Sequence, residues 1–475
     1  FTFAHELMSE NLQKDNPVAP EGVHRFETEE SGVDPSLVSR LSDAIESKTE
    51  DDVRACVSDV HHADLADLIG LLPRSQRHRL LRILRVDLDP DLLLELDDSI
   101  RLELADVLSP KEMAEAITEM ESDEAVQVLE DLEKDELSDV LREVSAEDRE
   151  EIELGLHYPE DTAGRRMQVE VVTVATDWSV GQTIDYLRTE ADLPDEFFDV
   201  FVLDDARRPV GVISLSRILR SPRSTAMSEI VDETQVIVPA DMEQEEVALQ
   251  FEKYDLTTAG VVDDDGKLLG MITVDDVMEV AREEFEEDVL HLGGVGEEAI
   301  SDSVLTATRK RFAWLLVNLG TAISASLVIY LFKGTLEHMV ALAVLMPIVA
   351  SMGGNAGTQT LTITVRALAT KELTPFNSLR AVRKELVVCT LNGCLFALLA
   401  GFGATYWFDD LVLGGVIGGA MVINMMVAGV SGAFLPIFFE RIGIDPAVAS
   451  GVFVTTVTDV VGFFAFLGLA TLVFL

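Results

Sequence analysis

The hydrophobic positions follow two regimes along the chain. Over residues 33–155 they recur with a helical period, in short Leu-rich pieces such as "HHADLADLIGLLP", "RLELADVLSP" and "DELSDVLREV". Turns at Pro73, Pro90 and Pro110 separate these pieces, so a stack of short helices is predicted. Over residues 162–285 one pattern occurs twice: "DVFVLDDARRPVGVISLSRIL" matches "TAGVVDDDGKLLGMITVDDVM" as strand, acidic turn, strand and helix. Gly211 then pairs with Gly270, and Ser214 with Thr273. From about residue 312 the apolar positions merge into stretches long enough to cross a bilayer. They cover about 312–332, 339–365, 386–408, 411–439 and 446–475, which predicts five transmembrane helices. Residues 1–32 show no such pattern and are expected to be disordered.

Polar residues inside the spans change this picture. The second span reads "PIVASMGGNAGTQ", with Pro347, Gly353, Gly354 and Gly357 beside Asn355 and Gln359. Irregular backbone at membrane depth is tolerated where it is buried in protein or lines water. A broken span lining a water-filled path is therefore expected. Gly353 and Gly357 form a GxxxG that also suits close helix packing, which explains the glycines but not Asn355 and Gln359. The fifth span contains "TTVTDVVGFF", in which Asp459 is the ionisable residue and Thr455, Thr456 and Thr458 surround it with hydroxyls. An isolated carboxylate in a span marks a functional site by default, and a passing cation is its natural counter-charge. A protonated, hydrogen-bonded structural Asp is the plainer alternative.

Charge fixes the topology and narrows the function. Arg309, Lys310 and Arg311 precede the first span. Arg366, Lys371, Arg380, Arg383 and Lys384 follow the second, and Arg441 lies between the fourth and fifth. By the positive-inside rule the large N-terminal part is cytosolic and the C-terminus outside, in the cell (inner or plasma) membrane. The formal net charge is -49 at pH 7, which repels nucleic acid and suits cations. Adaptation to high salt gives the same bias, so carboxylate abundance alone defines no site. The segment "DDVMEVAREEFEEDVLHLGGVG", joined to the first span, carries eight acids from Asp275 to Asp288 against Arg282. Like charges at i,i+3 and i,i+4 destabilise such a helix unless solvent, salt or a bound divalent cation offsets them. Cys56, Cys389 and Cys394 form neither a CxxC nor a disulfide framework. His61 and His62 lack ligands at metal spacing and read as solvated. The start has no basic-then-apolar signal peptide, and no catalytic motif of an enzyme is found.

The repeat over 162–285 resembles a tandem CBS pair, a module that often binds adenine nucleotides. "GMITVDD" keeps a Thr and an Asp suited to the ribose of ATP, and "GVISLSR" does not. The whole order, namely an acidic helical domain, a CBS pair, an acidic connecting helix and five spans, resembles the MgtE family of magnesium channels and transporters. "PIVASMGGNAGTQ" and "TTVTDVVGFF" carry that resemblance most specifically. It implies a multidomain fold: an α-helical cytosolic N domain (33–158), two α/β CBS modules (159–222 and 223–280), a plug helix (281–308) and an all-α pore domain (309–475). It implies a homodimer in the bilayer with one pore at the dimer axis, lined by the second and fifth spans. The family's pore aspartate falls on Asp459 and its pore asparagine on Asn355. Thr455 lies one turn before Asp459, where some relatives have Ala, and Gly451 stands where a relative has an asparagine. The family's regulatory Mg²⁺ sites fall on Glu103, Asp135, Asp139, Asp255, Asp276, Glu279, Glu284, Glu287, Asp288 and Asp445.

A pore for Mg²⁺ need not strip its tightly held water. Two copies of Asp459 would give a ring of charge about -2 that holds the hydrated ion through its waters. No Cys or His lies in the path, which argues against a dedicated Zn²⁺ route. Cytosolic Mg²⁺ bridging the acidic N domain, CBS and plug interfaces would clamp the channel shut. The rival in class is a Na⁺- or H⁺-coupled Mg²⁺ carrier, for which a broken span and one intramembrane acid also serve. A sensor merely anchored in the membrane accounts for neither.

Overall fold

The computed structural model describes residues 35–47, 49–85, 88–190, 193–194, 197–231, 237–295 and 304–475. The N-terminal segment expected to be disordered lies outside them. The chain divides after Leu96 into two compact units.

The first unit holds α1 (Pro35–Ser47), α2 (Glu50–Val57), α3 (His62–Leu71), α4 (Arg74–Leu84) and α5 (Asp91–Glu95). Leu41 and Ile45, Leu65 and Ile69, and Leu80 and Leu84 repeat every four residues and are all buried, as the helical period requires. Pro73 and Pro90 occupy the N-caps of α4 and α5. A proline there interrupts no intrahelical hydrogen bond. His62 is not simply solvated: its Nδ1 lies 3.8 Å from Asp89 and 3.6 Å from Asp91. Those acids return through the turn after α4, a contact invisible to local spacing.

The second unit continues with α6 (Asp98–Ala105), α7 (Pro110–Ile117), α8 (Ser122–Glu130), α9 (Lys134–Glu143) and α10 (Ala146–His157). Ser109 with Glu112, Glu121 with Glu124, and Glu133 with Glu136 form capping boxes that start α7, α8 and α9. The CBS modules follow. The first comprises β1 (Thr173–Ala175), α11 (Val180–Thr189), β2 (Asp199–Leu203), β3 (Pro209–Ser214), α12 (Leu215–Arg220) and α13 (Met227–Ile230). The second comprises β4 (Ile237–Pro239), α14 (Gln244–Tyr254), β5 (Thr258–Val262) and β6 (Leu268–Thr273), and runs into α15 (Val274–Leu292). In both sheets the first pair is parallel and the second antiparallel. Gly211 faces Val202 and Gly270 faces Val261, so the register reproduces the sequence repeat. The modules join through Phe201, whose ring fills the space beside Gly260, and through Thr258 Oγ1, which donates to Asp199 at 2.8 Å.

The membrane part comprises α16 (Val304–Leu331), the short α17 (Lys333–His338), α18 (Val340–Ala369), α19 (Ser378–Phe408), α20 (Leu411–Arg441) and α21 (Pro446–Phe474). Five of these are long and apolar enough to cross a bilayer. Of those five, α20 is the most enclosed and α16 the least. The expected break in the second span does not occur: α18 is one helix through Pro347 and the glycines. The glycines serve contact instead. A Cβ on Gly353 would collide with the Asn424 amide of α20, and one on Gly357 would stand 2.6 Å from Val454 of α21. Tertiary packing overrides the low helix propensity of glycine here.

Candidate functional site

α18 has two unlike faces. Gly353, Ala356, Gly357, Thr360 and Thr364 are buried among the neighbouring helices. Ser351, Asn355, Thr358, Gln359 and Thr362 are exposed along the other side, a polar stripe within a membrane span. Across the Gly357–Val454 contact lies α21, with Thr455 exposed and Asp459 half-buried. Thr455 Oγ1 donates to the carbonyls of Gly451 and Val452, and Thr456 and Thr458 likewise donate within their own helix. Of the three hydroxyls, that of the exposed Thr455 is open to a hydrated ion, whereas Thr458 is fully buried.

Asn424 was not singled out from the sequence, although a polar residue in the middle of "AMVINMMVAG" is a signal. It is fully buried, and its Nδ2 donates to the Val349 carbonyl of α18 at 2.8 Å. Gly353 of α18 and Gly462 of α21 both leave room for it. One amide of α20 is thus held between the two helices that carry Asn355 and Asp459. Glu385 of α19 is a second buried polar group the sequence reading passed over, with Thr360 Oγ1 donating to it at 3.4 Å.

Below the bundle lies a chamber of about 1050 Å³. Its walls are α14 with its C-terminal turn, α15, the cytosolic end of α18 and the turn between α20 and α21. Asp255, Glu284, Glu287, Asp288 and Asp445 line it, so five of the acids implied as regulatory meet in one place. Asp161, Glu243, Glu245, Glu252 and Glu440 add to the negative wall, and Lys371 is the basic residue lining it. Local structure positions the acids. Asp255 ends α14 in the left-handed region (φ 52). Asp445 caps α21, its Oδ1 accepting the Ala447 N–H at 2.8 Å. Glu284 accepts from Gln244 Nε2 at 2.7 Å.

The electrostatics are unfavourable by construction. Burial pushes Glu245 up to about 7, against the pull of Lys371 and with help from Glu284, Glu243 and Asp288. Glu284 rises through burial, opposed by its bond from Gln244. Asp288 rises through burial and the nearby Asp445, opposed by His291. Burial, reinforced by neighbouring carboxylates, disfavours the charged form of these groups.

Asp276 and Glu279 point elsewhere. Asp276 is the N3 residue of a capping box with Thr273 at the start of α15. Glu279 accepts from Gln127 Nε2 of α8 at 3.3 Å. There Asp276 meets Glu121 and Asp123, two acids absent from the sequence-based set. Burial raises Glu121 to about 7 and Asp276 to about 6. Asp123 is driven well above the usual carboxylate range by burial, then by Asp276 and Glu121. Asp135 and Asp139 are exposed on α9, Asp139 pairing with Arg142 at 2.6 Å, and neither lines the chamber. Glu103 is buried on α6.

Comparison with known proteins agrees with this architecture. The family of divalent cation transporters named MgtE matches residues 346–469. The MgtE intracellular N domain matches 60–161, and CBS domains match 163–224 and 227–283. The magnesium transporter MgtE of Thermus thermophilus is 34% identical over 330 residues, covering 68% of this chain and 72% of that protein. That of Bacillus subtilis is 28% identical over 421 residues, covering 88% of this chain and 93% of that protein. A solved cytosolic domain of the Mg²⁺ channel MgtE in complex with ATP is similar over 51% of this chain and 99% of its own, at 28% identity and a TM-score of 0.47. The chain belongs to the MgtE family of magnesium transporters, multi-pass membrane proteins with cytosolic N-terminal domains rather than enzymes.

Proposed function

We propose that this chain is a Mg²⁺-selective channel for magnesium uptake that closes when cytosolic Mg²⁺ fills the acidic chamber. The observation that carries this reading is the chamber itself. Acids from the second CBS module, α15 and the membrane helices converge there, with Glu245 pushed up to about 7 by burial and by neighbouring carboxylates. A hard divalent cation supplies positive charge and prefers oxygen ligands. With Mg²⁺ bound, α15 is held against the turn that starts α21. Without it, like charges drive the walls apart and α15 loosens. Asp276 and Glu279, with Glu121 and Asp123, form a second acidic contact of the same kind between α8 and α15.

Transport runs along the polar stripe. A stripe of Asn355, Thr358 and Gln359 facing lipid would leave amides unpaired in hydrocarbon. A second copy of the chain covers it and turns the stripes and Asp459 into a water-filled path at the dimer axis. Two Asp459 carboxylates then hold hydrated Mg²⁺, with Asn355 and Thr455 as outer contacts. The C-terminus of α21 lies on the outer side. ATP at the second CBS module would compete with the α15 cap for Thr273, linking nucleotide to the same helix.

Inside-out patch recording tests this function. Unitary current steps carried by Mg²⁺, suppressed by millimolar Mg²⁺ on the cytosolic side, are expected. Mg²⁺ flux without unitary steps, abolished by removing a Na⁺ or H⁺ gradient, would instead make the chain a coupled carrier.

A further inference from the structure

One donor in the chamber region belongs to none of the acidic sets. His291 lies four residues after Glu287, on the same face of α15 in its last turn. Its Nδ1 is 3.5 Å from Glu287 Oε1 and 3.3 Å from Asp445 Oδ2. The donor atoms of all three residues lie within 4.8 Å of one another. Asp445 uses its other oxygen to cap α21, which turns Oδ2 toward the imidazole. The His291 side chain is only 11% exposed, and its Nδ1 is buried without a hydrogen bond although both carboxylates are close. The nitrogen thus stands beside two carboxylates without a hydrogen bond to either. In a tetrahedral site with bonds of about 2.0–2.1 Å, ligand atoms stand about 3.3 Å apart. The two nitrogen–oxygen distances, 3.5 and 3.3 Å, match that.

We propose that Glu287, His291 and Asp445 form a site for a first-row transition divalent cation (Mn²⁺, Co²⁺, Ni²⁺ or Zn²⁺) that latches α15 to the first turn of α21. Imidazole suits these ions, whereas Mg²⁺ prefers oxygen throughout. The latch acts on the pore because α21 also carries Asp459, fourteen residues and ~21 Å of helix beyond Asp445. The effect on gating rests on the channel reading above; the binding of the metal does not.

The test uses the purified full-length protein carrying His62→Gln, which removes the imidazole of the other His–carboxylate group among the described residues, His62 with Asp89 and Asp91. Mn²⁺ is added in the presence of millimolar Mg²⁺ and pulsed electron paramagnetic resonance reads coupling to nitrogen. Coupling to one imidazole is expected, and it disappears in His291→Gln. In patches, Mn²⁺ closes the channel at a concentration at least tenfold below that of Mg²⁺. His291→Gln removes that preference while leaving the Mg²⁺ value within about twofold, which also shows that the variant is folded. Mn²⁺ bound without nitrogen coupling, coupling that survives His291→Gln, or an equal shift for both ions would overturn the site. Intact coupling in a parent protein that Mg²⁺ fails to close would refute the gating reading and leave the metal site standing.

Discussion

The membrane bundle and the chamber beneath it treat their polar groups in opposite ways. In the bundle one amide, Asn424, is enclosed by two glycines and ties α20 to α18 with a single hydrogen bond. The packing there is satisfied by shape. In the chamber ten carboxylates face Lys371; burial pushes Glu245 up to about 7 and raises Glu284 and Asp288. That packing is relieved either by protons on the carboxylates or by positive charge from outside. In the function proposed above the first serves as a rigid wall and the second as an ion-dependent hinge; the two regions meet at Asp445, where the chamber touches the helix that carries Asp459.

Substitutions can break this contrast region by region. The largest effect is expected from Asp459→Ala. It should abolish Mg²⁺ uptake in a magnesium-starved cell assay while the protein still assembles, since nothing packs through that carboxylate. Gly353→Leu should come next. Its side chain has to displace Asn424, and overpacking of this kind costs about 1–3 kcal/mol; a lower melting temperature in detergent and loss of flux would be seen together.

A smaller effect concerns pH. Glu121 and Glu245 have folded pKa values of about 7, above the ordinary 4.5, so metal-free packing is favoured while they are protonated. That stability is fully present below about pH 4.5 and is lost as pH rises through about 7. In chelator-treated protein, protease protection of α15 should therefore fall between those values, and Glu121→Gln should flatten the fall. Added Mg²⁺ should restore protection at pH 8. The smallest effect is expected from Asp139→Asn, which removes an exposed ion pair with Arg142 and should leave the half-closing Mg²⁺ concentration within about twofold.

How much of this was legible in the sequence depends on the range of the cause. Span positions, helix starts and the CBS repeat are local properties, and the register of Gly211 and Gly270 followed directly from the aligned repeat. The identity of Asp459 as an isolated intramembrane acid was equally local. The break at "PIVASMGGNAGTQ" was misread because glycine's weak helix propensity is local, whereas the need for it comes from Asn424 and Val454 on other helices. Asp276 was read as a ligand although the Thr273–Asp276 spacing also spells a capping box. His62 looked unpartnered because its carboxylates arrive from a distant turn, and the approach of Asp445 to His291 is likewise invisible to local spacing. Asp123 and Glu121 were hidden among many acids, and only their approach to Asp276 of α15 distinguishes them.

The account stands or falls on whether cytosolic Mg²⁺ acts through the chamber. The direct measurement is the Mg²⁺ concentration for half-closure in inside-out patches of a Glu245→Gln, Glu284→Gln, Asp288→Asn variant, compared with the parent. A rise of at least tenfold with unchanged unitary current is the expected result. An unchanged half-closing concentration in a conducting variant would contradict it.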